Sequence, residues 1–333
     1  MASVSEHIEA FWLTLGRELE ELGHQVAFAA GDEMDDHRYT RIVGLSRRPH
    51  IQNLIAARNL RRWTDENWLD LVVTNTATSS TLVRLSHLNA PVIYFAHGFH
   101  WDSESGPSYK IWSAIESALL PKTDGLLVLN QEDYGWAARR GYSGPISRLE
   151  YGVGLPLEKF TPSPIPSTKT AVWIGEFSQR KRPELAIKTA ALIVRAVPGF
   201  RLVMLGKGAL HNKAQQLAAQ LGLSNVISFP GHVEPGPYIT DATLLLHSAT
   251  WEGLPRVVLE ALAVGRPVVG PDVKGLRNIP GVVTSHSDAP EDLAATAQQV
   301  LNNPHSITID RHLLGVEYAA NQIEQFAELV IDR

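Results

Sequence analysis

Two spacings of apolar residues alternate along the chain. Short runs of continuous apolar character fall at Leu71–Thr74, Val92–Phe95 and Gly125–Leu129, and again at Ala171–Ile174, Leu202–Leu205, Val226–Phe229 and Thr243–His247. Runs of this length, apolar at every position, predict strands buried on both faces. Between them the spacing changes to that of helices, near Ser79–His87, Tyr109–Leu120, Glu132–Gly141, from Gly208 to about Leu221, and at Ala289–Leu301. At the start, Ile8, Phe11, Trp12, Leu15, Leu19 and Leu22 share one face of a helix with Ser5 as its cap, and Gln25–Ala30 reads as a strand. A final helix is predicted at about Val316–Ile331. This βα alternation predicts doubly wound parallel sheets, whose ligands bind at the carboxyl ends of the strands.

The nine residues Thr161 to Lys169 are rich in proline and serine and lack an apolar period. They predict a stiff connector between a first domain, residues 1–160, and a second, residues 170–315. The 333 residues leave room for both. With 44% hydrophobic and 20% charged residues the chain should be globular, and a net charge of −5 argues against general nucleic-acid binding. The absence of cysteine excludes disulfides and thiolate-held metals. No apolar run is long enough to span a bilayer and no secretory signal opens the sequence, so a cytoplasmic protein is expected. Arg47, Arg48, His50, Arg58, Arg61 and Arg62 gather in and before a helix at about 51–63. They read either as a solvated basic face or as a contact with anionic lipid headgroups at the membrane surface.

The most specific stretch runs from His247 to Val269. A strand leads through Trp251-Glu252-Gly253 into a helix starting near Leu254, with Pro255 in its first turn and Gly265 at its end. Glu252 and Glu260 frame the helix, ~12 Å apart at helical rise. Gly253 would leave amides open at the helix start, where an anion is favoured. The pattern suits an elongated ligand with hydroxyls at both ends and a diphosphate between them.

This segment resembles the Glu-x7-Glu donor site of the family 4 glycosyltransferases, retaining enzymes of the GT-B fold, and most of all those of bacterial capsule, exopolysaccharide and O-antigen assembly. The resemblance covers about His7 to Ile279 and includes Ala96-His97-Gly98-Phe99-His100, Asn130 to Tyr134 and Gly152-Val153-Gly154. It implies two Rossmann-like domains facing across a cleft, with the last helix returning to the first. It also implies a buried first strand, for which only Met1–Val4 are present, so that strand is expected to be a stub or cut short.

The resemblance assigns roles residue by residue. Glu252 would hold sugar hydroxyls, Glu260 the ribose hydroxyls, and His97 would contact the transferred sugar, with His100 a second candidate. Lys181 stands where the family's diphosphate lysine stands, after Gly175, but Glu176 occupies the usual arginine position. Like charges ~4 Å apart repel by about 4 kcal/mol at an effective dielectric near 20, so Glu176 is expected to point away and Arg180 or Arg182 to supply the second cation. Gly206, Gly208 and His232 resemble the turns that seat the nucleotide, and Gly253, Leu254 and Pro255 the helix start under the diphosphate.

The implied reaction moves a hexose or N-acetylhexosamine from a nucleotide diphosphate sugar, with UDP favoured, to a polyprenyl-diphosphate-linked glycan or polysaccharide. No residue stands out as general base, which leaves the departing phosphate to take the acceptor's proton. No Asp-x-Asp pair lies near the donor segment, so no metal and no further cofactor is expected. Two other readings stay open: a non-catalytic partner subunit or nucleotide binder of the same fold, and a sugar-nucleotide epimerase.

Overall fold

The computed structural model describes residues 1–47, 52–99 and 107–333. Arg48, His50 and His100 lie outside the described residues. The chain divides into two compact units, Met1–Gly154 with Gly315–Arg333, and Leu155–Leu314. The break thus falls before the proline-rich stretch, which is bound to the second unit. Buried Arg266 donates to the carbonyls of Ser163 (2.7 Å), Pro164 (2.9 Å) and Thr240 (2.7 Å).

In the first unit the opening helix is two, α1 (Ser5–Phe11) and α2 (Leu13–Glu21), separated at Trp12. Trp12 is 6% exposed and packs edge-on against Phe95, with ring centroids 5.8 Å apart. Ser5 does not cap the helix; Val4 does, and the Ser5 N–H instead donates to the Asp32 carboxylate at 2.7 Å. The predicted Gln25–Ala30 strand is shorter, β1 (Phe28–Ala30), and pairs with β2 (Tyr39–Arg41) in a separate two-stranded sheet. Then follow α3 (Asn53–Asn67), β3 (Val72–Thr74), α4 (Ala77–Leu85), β4 (Val92–Ala96), α5 (Pro107–Leu119), β5 (Gly125–Val128), α6 (Gln131–Arg139) and β6 (Ile146–Arg148). Strands β3 to β6 form a parallel sheet in that order.

Met1–Val4, where a first strand is expected, forms no strand, but its backbone bonds to both neighbouring strands' segments. The Ala2 N–H donates to the Ala29 carbonyl at 3.0 Å, while the Met1 carbonyl accepts from Asn75 at 3.0 Å. The terminal amine also donates to the Val73 carbonyl at 2.7 Å. Met1–Ser3 therefore lies between β1 and β3 and covers backbone groups that would otherwise leave two open edges.

The second unit carries β7 (Thr170–Ile174), α7 (Pro183–Ala196), β8 (Arg201–Leu205), α8 (His211–Gln220), β9 (Ile227–Gly231), α9 (Gly236–Thr240), β10 (Leu244–Leu246), α10 (Arg256–Val264), β11 (Val268–Pro271), β12 (Val282–Ser285), α11 (Pro290–Asn302) and α12 (Arg311–Leu314). Its six parallel strands stand in the order β12-β11-β10-β7-β8-β9. The chain winds outward from β7 through β8 to β9, then returns to the other side of β7 with β10. The winding reverses between β7 and β10, and at such a point the loops leaving the two strands part and open a crevice. The core beneath is apolar, with Trp173, Phe177, Ile187, Leu202 and Leu293 each no more than 2% exposed. The last helix, α13 (Val316–Ile331), belongs to the first unit and packs on α2, where His24 and Glu324 meet at 2.8 Å.

Candidate functional site

The loops that leave β7 and β10 are stitched together at that reversal. The Ser248 hydroxyl accepts from the Trp173 indole N–H at 2.8 Å and donates to the Lys181 carbonyl at 2.7 Å. The Thr250 N–H donates to the Arg180 carbonyl at 2.9 Å. Arg182, whose backbone is left-handed (φ 48°), donates to the carbonyls of Ser248 (2.7 Å) and Ala249 (3.1 Å), and at 2.5 Å to Asp288. Its guanidinium thus holds the two loops and Asp288, whereas that of Arg180 turns to Glu252.

Glu252 sits at the centre, 6% exposed. Arg180 donates to Oε2 at 2.7 Å, Lys181 donates to Oε1, and the His247 ring lies 3.5 Å from Oε1. Burial alone would raise the Glu252 pKa, but His247, Lys181 and Arg180 outweigh it and hold the carboxyl well below the usual range. Burial pushes His247 down, so it is neutral near pH 7. Two cations then face one carboxylate, leaving a positive charge with its head groups in the crevice. Arg180 also stacks on Trp251, 5.2 Å from the ring centroid.

Glu252 is not helical. It lies in the loop before α10, where its N–H donates to the Lys274 carbonyl at 3.0 Å, and Pro255 is the N-cap rather than a first-turn residue. The ~12 Å estimate from helical rise therefore does not apply, and Gly253 and Leu254 precede the helix instead of forming its end. The amides that open the helix begin at Arg256. Glu260 is helical and 6% exposed. Arg256 donates to its Oε1 at 3.3 Å, while Oε2 has no hydrogen-bond partner among the described residues. Burial raises the Glu260 pKa, with Arg256 opposing.

The glycines around the site have steric reasons. A Cβ on Gly206 (φ 132°) would meet the Gly175 carbonyl oxygen at 1.9 Å, and one on Gly208 (φ 151°) would meet Phe177 backbone at 2.7 Å. The turn after β8 can lie on the turn after β7 only with glycine at both positions. Glu176 and His232 are both exposed. The structure brings Lys181, Arg180, Glu252 and the α10 start together, with Gly175 beside Lys181; His232 is exposed just after β9 and is not drawn into this cluster.

His97 belongs to the first unit, following β4, with Gly98 at φ 107°. Its ring packs 4.5 Å from Phe95 and 5.1 Å from Phe11, and Nε2 is buried with no hydrogen-bond partner among the described residues. Burial and then His7 push its pKa down to about 3. The arginine group shows no such focus. Arg47, Arg58, Arg61 and Arg62 are exposed, and Arg62 pairs with Glu66 at 2.7 Å, giving a face of mixed charge. Among the described residues no three potential metal-ligating side chains come together, and no helix is long and apolar enough to cross a membrane.

Sequence reasoning missed His247, Ser248 and Lys274. The first two lie inside the stretch already singled out, and a buried polar pair directly after a strand was their signal. Lys274 contributes a carbonyl, which no side-chain pattern reveals.

Residues 158–321 match the family described as Glycosyl transferases group 1, and residues 8–154 match Glycosyltransferase Family 4. EpsD of Bacillus subtilis (strain 168), assigned as a glycosyltransferase, is 30% identical over 306 residues, covering 84% of this chain and 79% of EpsD. Among solved structures, sucrose-phosphate synthase from Thermosynechococcus elongatus superposes with a TM-score of 0.78 at 20% identity, covering 94% of this chain and 90% of that one. Anabaena HepE, solved in complex with UDP and glucose, gives 0.70 at 14% identity and 94% of both chains. The paired parallel-sheet units and these matches lead to one assignment: the chain belongs to glycosyltransferase family 4 and has the GT-B fold.

Proposed function

We propose that the protein is a retaining glycosyltransferase that moves a hexose or N-acetylhexosamine from a UDP-sugar to a hydroxyl of a lipid-linked or polysaccharide acceptor, in the assembly of a surface polysaccharide. One observation carries this reading. At the reversal between β7 and β10, Glu252 is buried between Arg180 and Lys181, and eight residues on, Glu260 holds a carboxylate oxygen with no hydrogen-bond partner among the described residues. The charge surplus suits a diphosphate, and the orphan oxygen suits a ribose hydroxyl. The likeness to the Vi polysaccharide biosynthesis protein VipC/TviE of Salmonella typhi, 31% identical over 119 residues, supports the polysaccharide context, and HepE's complex supports UDP and a hexose.

In the reaction, positive charge gathers on the sugar ring and negative charge on the departing diphosphate. Glu252 faces the first, having kept its charge against burial. Lys181, Arg180 and the start of α10 face the second, arranged before the reaction begins, which is where electrostatic catalysis is strongest. His97 offers a neutral imidazole to a sugar hydroxyl. The departing phosphate takes the acceptor's proton, and no metal is assigned a step.

The test is turnover with a panel of UDP-, GDP- and ADP-sugars and lipid-linked acceptors. Glu252→Ala and Lys181→Ala should each cut kcat by roughly 10²–10³ while the protein stays folded. Near-normal rates in both variants would reject the site. Incubation with UDP-N-acetylglucosamine alone should leave the sugar unchanged; epimerised product would indicate an isomerase.

A further inference from the structure

The first unit carries a cavity of about 520 Å³ at the end of its sheet opposite to His97. Pro91, Asp124 and Gly144, which stand just before β4, β5 and β6, line it, whereas His97 follows β4. The volume lies within the range of small-molecule sites. Specific contacts hold the walls. Asp124 accepts through Oδ2 from the Val92 N–H at 2.7 Å. The Tyr142 hydroxyl donates to the Thr123 carbonyl at 3.1 Å. A Cβ on Gly144 would meet that hydroxyl at 2.4 Å, so glycine there lets the tyrosine ring close against its own loop. Arg140 donates to the hydroxyls of Ser117 at 2.6 Å and Ser113 at 3.1 Å, and lies 5.2 Å from the centroid of Trp136. Behind the wall Arg84, 3% exposed, donates to the Thr123 hydroxyl at 3.2 Å and to both carboxylate oxygens of Glu116, equally buried.

The charge of the lining indicates the kind of ligand. Arg140 and Arg333 bring two positive charges and Asp124 one negative. Helices α5, α6 and α13 all end beside the cavity, and each such end carries roughly half a negative charge. The balance is close to zero, so the cavity selects neither an anion nor a cation. It offers donors and acceptors (Arg140, Ser143, Asp124) around the half-buried ring of Tyr142 and the rings of Pro91 and Pro121. A sugar ring, with hydroxyls at its rim and C–H groups on its faces, matches that mixture. One strand over, the entry to β3 carries Trp68, 89% exposed. Its backbone is left-handed (φ 49°) at the C-cap of α3, where glycine or asparagine is favoured, and at that exposure its ring gains little from folding. Asn89 donates to Asp65 of α3 at 3.0 Å, tying the end of α3 to the loop that leads to Pro91. Strands β3 to β6 are successive neighbours about 4.8 Å apart, so Trp68 and Tyr142 mark the two sides of a row about 14 Å across, longer than one sugar ring.

We propose that the amino-terminal end of this sheet is a second carbohydrate site, which holds an uncharged oligosaccharide with one ring in the cavity against Tyr142 and another on Trp68. The site rests on the first unit alone and not on the assignment of the transferase site, so either can fail without the other.

The test is calorimetric titration of the full chain with maltohexaose, cellohexaose and chitohexaose. At least one should bind, and Trp68→Gly and Tyr142→Ala should each weaken that binding by about five- to tenfold. Trp68→Gly suits the left-handed backbone and should melt no lower than the parent. Tyr142→Phe keeps the ring and should keep most of the affinity, which separates the contact from the fold should Tyr142→Ala prove unstable. UDP, titrated alongside, should bind the parent and Trp68→Gly equally. A parent that binds an oligosaccharide through Trp68 but binds no UDP would support this site and reject the transferase site. A parent that binds none of the three oligosaccharides overturns the proposal, as does a Trp68→Gly variant that binds as tightly as the parent.

Discussion

Replacing Glu260 with glutamine should yield a more stable protein that binds nucleotide less well. The carboxyl is 6% exposed, and the hydrogen bond it accepts from Arg256 is 3.3 Å long. Burial raises its pKa above the ordinary 4.5. The sign follows by linkage: the favourable contribution is complete below 4.5, where the group is protonated in both states, and is lost as pH rises through the elevated folded value. At pH 7 the buried charge therefore opposes folding. Glutamine does not titrate, so the variant should melt above the parent at pH 7, and the gap should close towards pH 4. Binding should move the other way. A hydroxyl donating to a carboxylate contributes about 1.5–3 kcal/mol and one donating to a neutral acceptor about 0.5–1.5. The difference of about 1–1.5 kcal/mol corresponds to roughly 5–15-fold in Kd. Calorimetric titration with UDP and with 2′,3′-dideoxy-UDP separates the ribose contact from general effects. The parent should discriminate between the two nucleotides, and the variant should lose about tenfold of that discrimination. Equal weakening for both nucleotides, or none for either, would refute the assignment of the orphan oxygen to the ribose.

Glu252 should show the opposite pH signature. Its folded pKa is depressed by His247, Lys181 and Arg180 against burial, so its contribution is present above the ordinary 4.5 and is lost as pH falls below it. Glu252→Gln should melt below the parent at pH 7, and the gap should begin to narrow only as pH falls below 4.5 and close well below pH 4; a gap independent of pH would contradict the ion pairing. Arg180→Ala should weaken UDP binding while changing the melting temperature little. Arg182→Ala, which frees the carbonyls of Ser248 and Ala249, should mainly lower the melting temperature, and the reverse pattern in calorimetry would show that the two arginines had been assigned the wrong way round. Arg84→Ala strands Glu116, 3% exposed, and should cost about 3–5 kcal/mol, whereas Arg84→Met/Glu116→Leu should fall within about 2 kcal/mol of the parent in denaturant titration. A double variant as damaged as the single one would contradict this.

The sheets were legible because a strand buried on both faces is apolar at every position. Leu126, Leu127 and Val128 are all unexposed, as are Val268 and Val269. The strands that escaped notice, β2, β6 and β12, are three or four residues long and mostly only partly buried, too short for a period to show. The split at Trp12 was hidden because apolar spacing continues across it. The donor segment was readable because glycine, proline and glutamate there each answer a backbone or charge requirement. Its geometry was less so: that Glu252 lies before the helix, and that Arg182 holds carbonyls, depends on where β10 returns beside β7. That return is a tertiary event, joining residues about seventy positions apart, and no local pattern encodes it.

The central claim is that a nucleotide diphosphate lies where the loops after β7 and β10 meet. A structure of the protein soaked with UDP tests it most directly. The diphosphate should lie against Lys181, Arg180 and the opening amides of α10, with the ribose hydroxyls on Glu260. UDP bound elsewhere, with Glu252 still closed over Lys181 and Arg180, would contradict the account.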